Sequence, residues 1–319
     1  MPQAPDGNDS KSMERRKEDY FLHRETMEPW REIAVSDKSK ADVCVMGVGF
    51  DGAASVGKGA AQGPEQIRKC SEVLPPVNIT GDFFDTLRVF DAGDVPFSLD
   101  WEAYYRQVEQ AAYDLLKTGS FCVFLGGDHS VTIPLSRAIG RYYKGKKIGV
   151  AHFDSHPDLC DEYEGSKWSH ACPLRRVVED VIAPADLAQV GIRSYEKEEI
   201  QYYADHPELT VIKAYDIFRE GYEAAANRLV EKFQGYDMVY ITLDIDVLDP
   251  AFAPGTGTPE GGGISTRELM YIINALMERT PVRAMDIVEV APPLDTENQI
   301  TSWAAVKVIY EVFAKLADR

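Results

Sequence analysis

From Asp42 onward, short continuous apolar runs alternate with stretches of helical periodicity. The runs DVCVMGV (42–48), FCVFL (121–125), KIGVAHF (147–153), AQVGI (188–192), MVYITL (238–243) and VRAMDIV (282–288) predict strands. They lack period-2 alternation, as parallel strands covered on both faces do. Between them, Trp101, Tyr104, Tyr105, Val108, Ala111, Ala112, Leu115 and Leu116 follow the i, i+3, i+4, i+7 spacing of an amphipathic helix. Ala305, Ile309, Val312, Phe313 and Leu316 repeat it near the C-terminus. Strands alternating with helices predict βαβ units and a mostly parallel sheet. No repeat or low-complexity linker divides the 319 residues, so a single α/β domain is expected. Residues 1–40 are polar, charged and aperiodic. They are expected to form a partly ordered N-terminal extension ahead of a domain spanning 41–319.

Charge and cysteine usage narrow the function. The chain carries 52 Asp and Glu against 34 Lys and Arg, a formal charge of −18. Its basic residues cluster no further than the short run Lys144 to Lys147, which argues against a nucleic-acid partner. No run approaches the roughly 18 apolar residues of a membrane span. The N-terminus lacks the apolar stretch of a secretory signal. Five cysteines, Cys44, Cys70, Cys122, Cys160 and Cys172, are odd in number and show no CxxC spacing. That argues against a disulfide framework or a thiolate zinc site, and a reducing cytoplasm is expected.

Gly47, Gly49 and Gly52 spell GxGxxG after the first strand, the fingerprint of dinucleotide binding. That motif must open a helix. Here Gly57, Gly59 and Gly63 keep the chain in a loop until Pro64, which suits the first position of a helix. Dinucleotide binding is therefore set aside.

The candidate chemistry lies in three segments, each following a predicted buried strand: Gly126-Gly127-Asp128-His129-Ser130, His152-Phe153-Asp154-Ser155-His156-Pro157-Asp158 and Asp244-Ile245-Asp246-Val247-Leu248-Asp249-Pro250. Ligands of open α/β sheets bind beyond the carboxyl ends of strands, where loops bring distant residues together. His129, Asp154, His156, Asp158, Asp244 and Asp246 are thus expected to converge. Imidazole and carboxylate are the ligand set of divalent Mn, Fe, Co, Ni or Zn. Two His and four Asp suffice for two ions if carboxylates bridge. Asp154 and His156, like Asp244 and Asp246, are two residues apart and leave one face of an extended segment. Clustering four carboxylates without cations would cost several kcal/mol of repulsion and desolvation. Any one DxD or histidine is more often structural, but four of the six histidines fall between 129 and 170, close to these strand ends.

At these residues the chain resembles the ureohydrolases, the arginase and agmatinase family. GGDHS, HFDSHPDL and TLDIDVLDPAFAPGTGTPEGGG (242–263) look like its three signatures. KGAAQGPEQIR (58–68), DAGDV (91–95), VGIRS (190–194) and DIVEVAPPLD (286–295) extend the likeness. The wording is nearest to the agmatinase-like branch. The resemblance implies a single three-layer α/β/α domain with a mostly parallel eight-stranded sheet and two Mn²⁺ ions, with Ni²⁺ the alternative. It implies one ion held by His129, Asp154, Asp158 and Asp244, and another by His156, Asp154, Asp244 and Asp246. It implies a bridging hydroxide attacking a guanidinium carbon to release urea, with Asp158 orienting it, His170 shuttling protons and Glu289 binding the guanidinium through two parallel hydrogen bonds. His152 is expected to pack against the sheet. Trimers or hexamers are expected, as in the family.

Substrate choice follows from departures. Cys160 stands where arginases carry an Asn that helps hold the substrate carboxylate. Glu196 aligns with the residue that reads the α-amino group, and the loop Asp161, Glu162, Glu164 is acidic. Both features favour a cationic tail such as agmatine's over a carboxylate. Guanidinobutyrate, guanidinopropionate, formiminoglutamate and free guanidine remain alternatives, with arginine behind them. Cys172 in SHACP lies beside the expected shuttle. Two other classes compete: a single-zinc deacetylase-like amidohydrolase, and a non-catalytic binding protein on the same scaffold.

Overall fold

The computed structural model describes residues 28–318. The first 27 positions of the expected extension lie outside the described residues. Eight strands occur among them: β1 (Val43–Val48), β2 (Val89–Asp94), β3 (Phe121–Gly126), β4 (Ile148–Phe153), β5 (Leu187–Ile192), β6 (Thr210–Lys213), β7 (Met238–Asp244) and β8 (Val282–Val288). Nine α-helices accompany them: α1 (Gly63–Ser71), α2 (Trp101–Leu116), α3 (Thr132–Tyr142), α4 (Pro173–Asp180), α5 (Lys197–Asp205), α6 (Ala214–Glu220), α7 (Tyr222–Lys232), α8 (Thr266–Arg279) and α9 (Ile300–Ala317). Local signals start several of them. Pro64 stands in the first turn of α1, the Asp100 side chain accepts from Ala103 N to cap α2, and Ser265 with Glu268 forms a capping box on α8.

The strands form one sheet in the order β2-β1-β3-β8-β7-β4-β5-β6, and every neighbouring pair is parallel. Alternate strand residues enter two separate cores. Val43, Val45, Val123, Leu125 and Phe153 meet α1, α7, α8 and α9 on one face. Cys44, Met46, Phe124, Val150 and Tyr240 meet α2, α3, α4 and α5 on the other. The result is the expected three layers of helix, sheet and helix.

Six strands coincide with the apolar runs. The two without such a run, β2 and β6, are the edges of the sheet. An edge strand needs less apolar cover, and β2 is exposed at its last three residues. Within the segment read as an extension, Trp30 and Ile33 are buried, and the Trp30 ring packs edge-on against Phe313 with centroids 5.6 Å apart. The GxGxxG segment opens no helix, and the chain between β1 and α1 holds only a three-residue 3₁₀ turn. Among the described residues no helix is long and apolar enough to cross a membrane.

Candidate metal centre

All three chemical segments leave the carboxyl ends of central strands. His129 follows β3, Asp154, His156 and Asp158 follow β4, Asp244 ends β7 and Asp246 follows it, while Glu289 follows β8. These four strands are adjacent in the order β3-β8-β7-β4, so residues up to 160 positions apart become neighbours. The first turn is tight. Gly127 lies so close to Phe50 that a Cβ would stand 1.8 Å from its carbonyl oxygen, so only glycine fits. Asp128 then pins the loop, accepting from Ala53 N at 2.8 Å and Ser130 N at 3.1 Å. Burial, and then the charge of Glu289, push its carboxyl up to about 7.

The six ligand candidates meet. His129 Nδ1 stands 3.0 Å from Asp154 Oδ2, 3.0 Å from Asp158 Oδ2 and 3.4 Å from Asp244 Oδ2. His156 Nδ1 stands 3.2 Å from Asp246 Oδ2 and 3.5 Å from Asp154 Oδ1. Asp154 therefore faces both histidines, one with each oxygen. Asp244 faces the His129 group through Oδ2, while its Oδ1 accepts from Asp246 N at 2.8 Å.

The hydrogen bonds behind His129 decide its tautomer. Asp286 Oδ2 accepts from Thr132 Oγ1 at 2.7 Å, so the Thr132 hydroxyl must accept from Thr242 Oγ1, 3.2 Å away. Thr242 in turn accepts from His129 Nε2 at 3.0 Å. The ring therefore carries a proton on Nε2, and Nδ1, aimed at three carboxylates, is the end left to take a cation. That atom is buried and makes no hydrogen bond. Lone pair against carboxylate is repulsive unless a cation lies between. Burial opposes charge on the ring, yet Asp154, Asp158 and Asp244 outweigh it and hold its affinity for a proton well above the ordinary imidazole range. Asp244 is raised well above the carboxylate range by burial and then by the charges of Asp246 and Asp154. The centre thus calls for positive charge, and a buried His/Asp cluster with one shared carboxylate is compatible with two metal ions.

Beside it lies a cavity of about 150 Å³, lined among others by His156, Asp158, Cys160, His170, Glu196 and Asp244. His170 Nε2 lies 2.8 Å from Ser55 Oγ, and its Nδ1 is 3.6 Å from Glu289 Oε1. Burial disfavours its charge, but Glu289 raises its proton affinity above the usual imidazole value. Glu289 is 2% exposed, holds φ 60° and accepts from His129 N at 2.9 Å through Oε1. Asp158 also adopts a left-handed conformation, φ 55°. Such strain in a non-glycine residue costs about 1–3 kcal/mol and persists where the surroundings enforce it.

Several expectations change at the cavity wall. Asp161 is engaged by Arg176 Nη2 at 2.8 Å and Lys167 Nζ at 3.2 Å, so it offers little to a ligand. Glu196 lines the cavity and is exposed at its mouth. Cys160 lines it too, and burial followed by the charge of Glu199 raises its thiol far above the ordinary value. Cys172 is buried with its thiol pushed up to about 12, first by burial, and its Sγ donates to Ser166 O at 3.7 Å. Sequence reasoning assigned no role to Asp128, Gln189, Thr242 or Asp286. All four are wholly buried, and the last three interrupt apolar strands. A polar residue inside such a run must find a partner, and that interruption was the available signal.

Comparison with known proteins places these features in context. Residues 41–314 match the sequence profile described as "Arginase family". The chain is 35% identical over 301 residues to a guanidinopropionase of Pseudomonas aeruginosa, covering 89% of this chain and 90% of that one. It is 36% identical over 281 residues to an agmatinase of Neisseria meningitidis serogroup C, covering 86% and 87%. The solved structure of a proclavaminate amidino hydrolase from Streptomyces clavuligerus superposes with a TM-score of 0.82 at 32% identity, covering 91% of this chain and 97% of that one.

Proposed function

This chain belongs to the arginase family, and on that premise we propose that it hydrolyses a guanidino compound to urea and an amine at a centre of two divalent ions, agmatine, yielding putrescine, being the favoured substrate. The observation that carries the reading is His129 Nδ1, a buried nitrogen that faces three carboxylates and makes no hydrogen bond. Relatives named agmatinase and guanidinopropionase support the guanidino substrate class. The exposed carboxylate of Glu196 at the cavity, with no arginine or lysine among the described residues that line it, supports a cationic tail. Manganese is the proposed metal, with nickel the alternative, and the proposed assembly is a homotrimer or homohexamer in the cytoplasm.

In this reading His129, Asp154, Asp158 and Asp244 hold one ion, and His156, Asp154, Asp244 and Asp246 hold the other. Bound there, two divalent ions lower the pKa of water toward neutrality and so supply a nucleophile. Asp158 would orient that nucleophile and take its proton. Glu289, fixed at Oε1 by His129 N, offers the carboxylate against which a planar guanidinium lies. His170, held at Nε2 by Ser55, carries a proton between the cavity and the departing amine.

Urea release from a panel of agmatine, guanidinobutyrate, guanidinopropionate, formiminoglutamate, guanidine and arginine, with Mn²⁺ and Ni²⁺ supplied separately, tests the function. Turnover of agmatine well above the carboxylate-bearing compounds is expected; no urea from any of them would end the proposal. Glu289→Gln removes the charge from one charge-assisted contact, worth about 1.5–3 kcal/mol, and should raise KM roughly 10–100-fold. Metal content should stay at the wild-type value. Unchanged kinetics would take Glu289 out of the substrate contact.

A further inference from the structure

Gln189 reaches two of the six ligand candidates through the groups beside them. It lies on β5 within an apolar run and is wholly buried. Its Nε2 donates to His152 Nδ1 at 2.9 Å and to Pro157 O at 2.7 Å, and its Oε1 accepts from the Tyr203 hydroxyl at 2.5 Å. The amide can face no other way, because a carbonyl oxygen at Pro157 requires a donor. Both amide hydrogens are thereby engaged.

The first branch sets a tautomer. His152 Nδ1 accepts, so its ring proton lies on Nε2, which donates to Asp154 Oδ2 at 2.8 Å. His152 has a donor atom within 4.8 Å of those of His129, Asp154 and Asp158. Both its nitrogens are occupied, however, so it has no lone pair for an ion. It instead fixes the carboxylate that faces both histidine ligands. The second branch sets backbone geometry. Pro157 O immediately precedes Asp158, whose φ is 55°. Leu159 N, immediately after it, donates to Glu199 Oε1 at 3.0 Å. Glu199 and Tyr203 lie one turn apart on α5, so that helix holds the chain on both sides of Asp158, directly and through Gln189.

We propose that Gln189 is a positioning residue of the metal centre, fixing Asp154 through the His152 tautomer and Asp158 through the Pro157 carbonyl. The proposal rests on the two-ion reading above. Hydrogen bonds behind metal ligands are typically worth about 10–100-fold in metal affinity.

The test titrates metal-free full-length wild type, Gln189→Glu and Tyr203→Phe with Mn²⁺ alone, by calorimetry. Thermal unfolding of each metal-free form and ¹⁵N spectra of the histidine rings accompany it. Gln189→Glu keeps the shape but donates to neither partner. It should weaken the first ion by about 10–100-fold and move the His152 proton from Nε2 to Nδ1. Tyr203→Phe leaves both donors in place but removes the donor to Oε1, so the amide is held less firmly, and should weaken Mn²⁺ binding measurably, by less than about 10-fold. A Gln189→Glu protein that melts earlier yet keeps wild-type Mn²⁺ affinity and the Nε2 proton overturns the proposal alone. Should Gln189→Glu not fold, wild-type affinity in Tyr203→Phe overturns it. The titrations are repeated with Ni²⁺, and wild type that binds neither ion overturns both this proposal and the two-ion reading.

Discussion

Asp154→Ala is expected to eliminate urea release, by at least about 10³-fold, and to strip the protein of both ions. Removing a single electrostatic contributor at a transition state already costs about 10²–10³-fold, and this carboxylate faces both metal groups. Its Oδ2 lies 3.0 Å from His129 Nδ1 and its Oδ1 lies 3.5 Å from His156 Nδ1. Oδ1 also accepts from His156 N at 2.6 Å, so the second histidine loses its backbone anchor as well. Asp244→Ala should behave similarly at the first ion, since Asp244 faces His129 and holds Asp246 N. The fold itself should persist, because each change relieves like-charge crowding in the metal-free cluster. Metal analysis, circular dichroism and initial rates on the same preparation read all three. Two tightly bound ions in either variant would defeat the bridging assignment.

Dialysis against a strong chelator should abolish turnover and lower the melting temperature by at least about 10 °C. Two ions, each present at about a thousand times its Kd, stabilise the folded state by ~8 kcal/mol, and a domain of this size shifts by roughly 1.5 °C for each kcal/mol. The structure supplies the reason for so large a dependence. Without cations, burial and neighbouring charges raise Asp244 well above the carboxylate range, and His129 is held toward its protonated form despite its burial. Divalent ions replace those protons with a larger charge. Two equivalents of Mn²⁺ per chain should restore both readings together. Full recovery at one equivalent of Zn²⁺ would instead favour the deacetylase-like reading.

The chain's order of residues was enough to reveal the inner sheet. Six strands carry continuous apolar runs because each is covered on both faces, whereas β2 and β6 carry weaker signals because edge strands are covered less. It was also enough to nominate the ligands, since carboxylates and imidazoles crowded after buried strands have few other uses. What it left open depends on neighbours distant along the chain. Asp161 read as part of an acidic mouth, yet Arg176 in α4 neutralises it. Gln189, Thr242 and Asp286 drew no reading from the sequence, yet each orients or supports a histidine of the metal centre or beside it. Residue type determined which groups could take a metal. Which lone pair each presents was decided by hydrogen bonds across strands and from α5, because a ring or amide has two ends and only its surroundings choose between them.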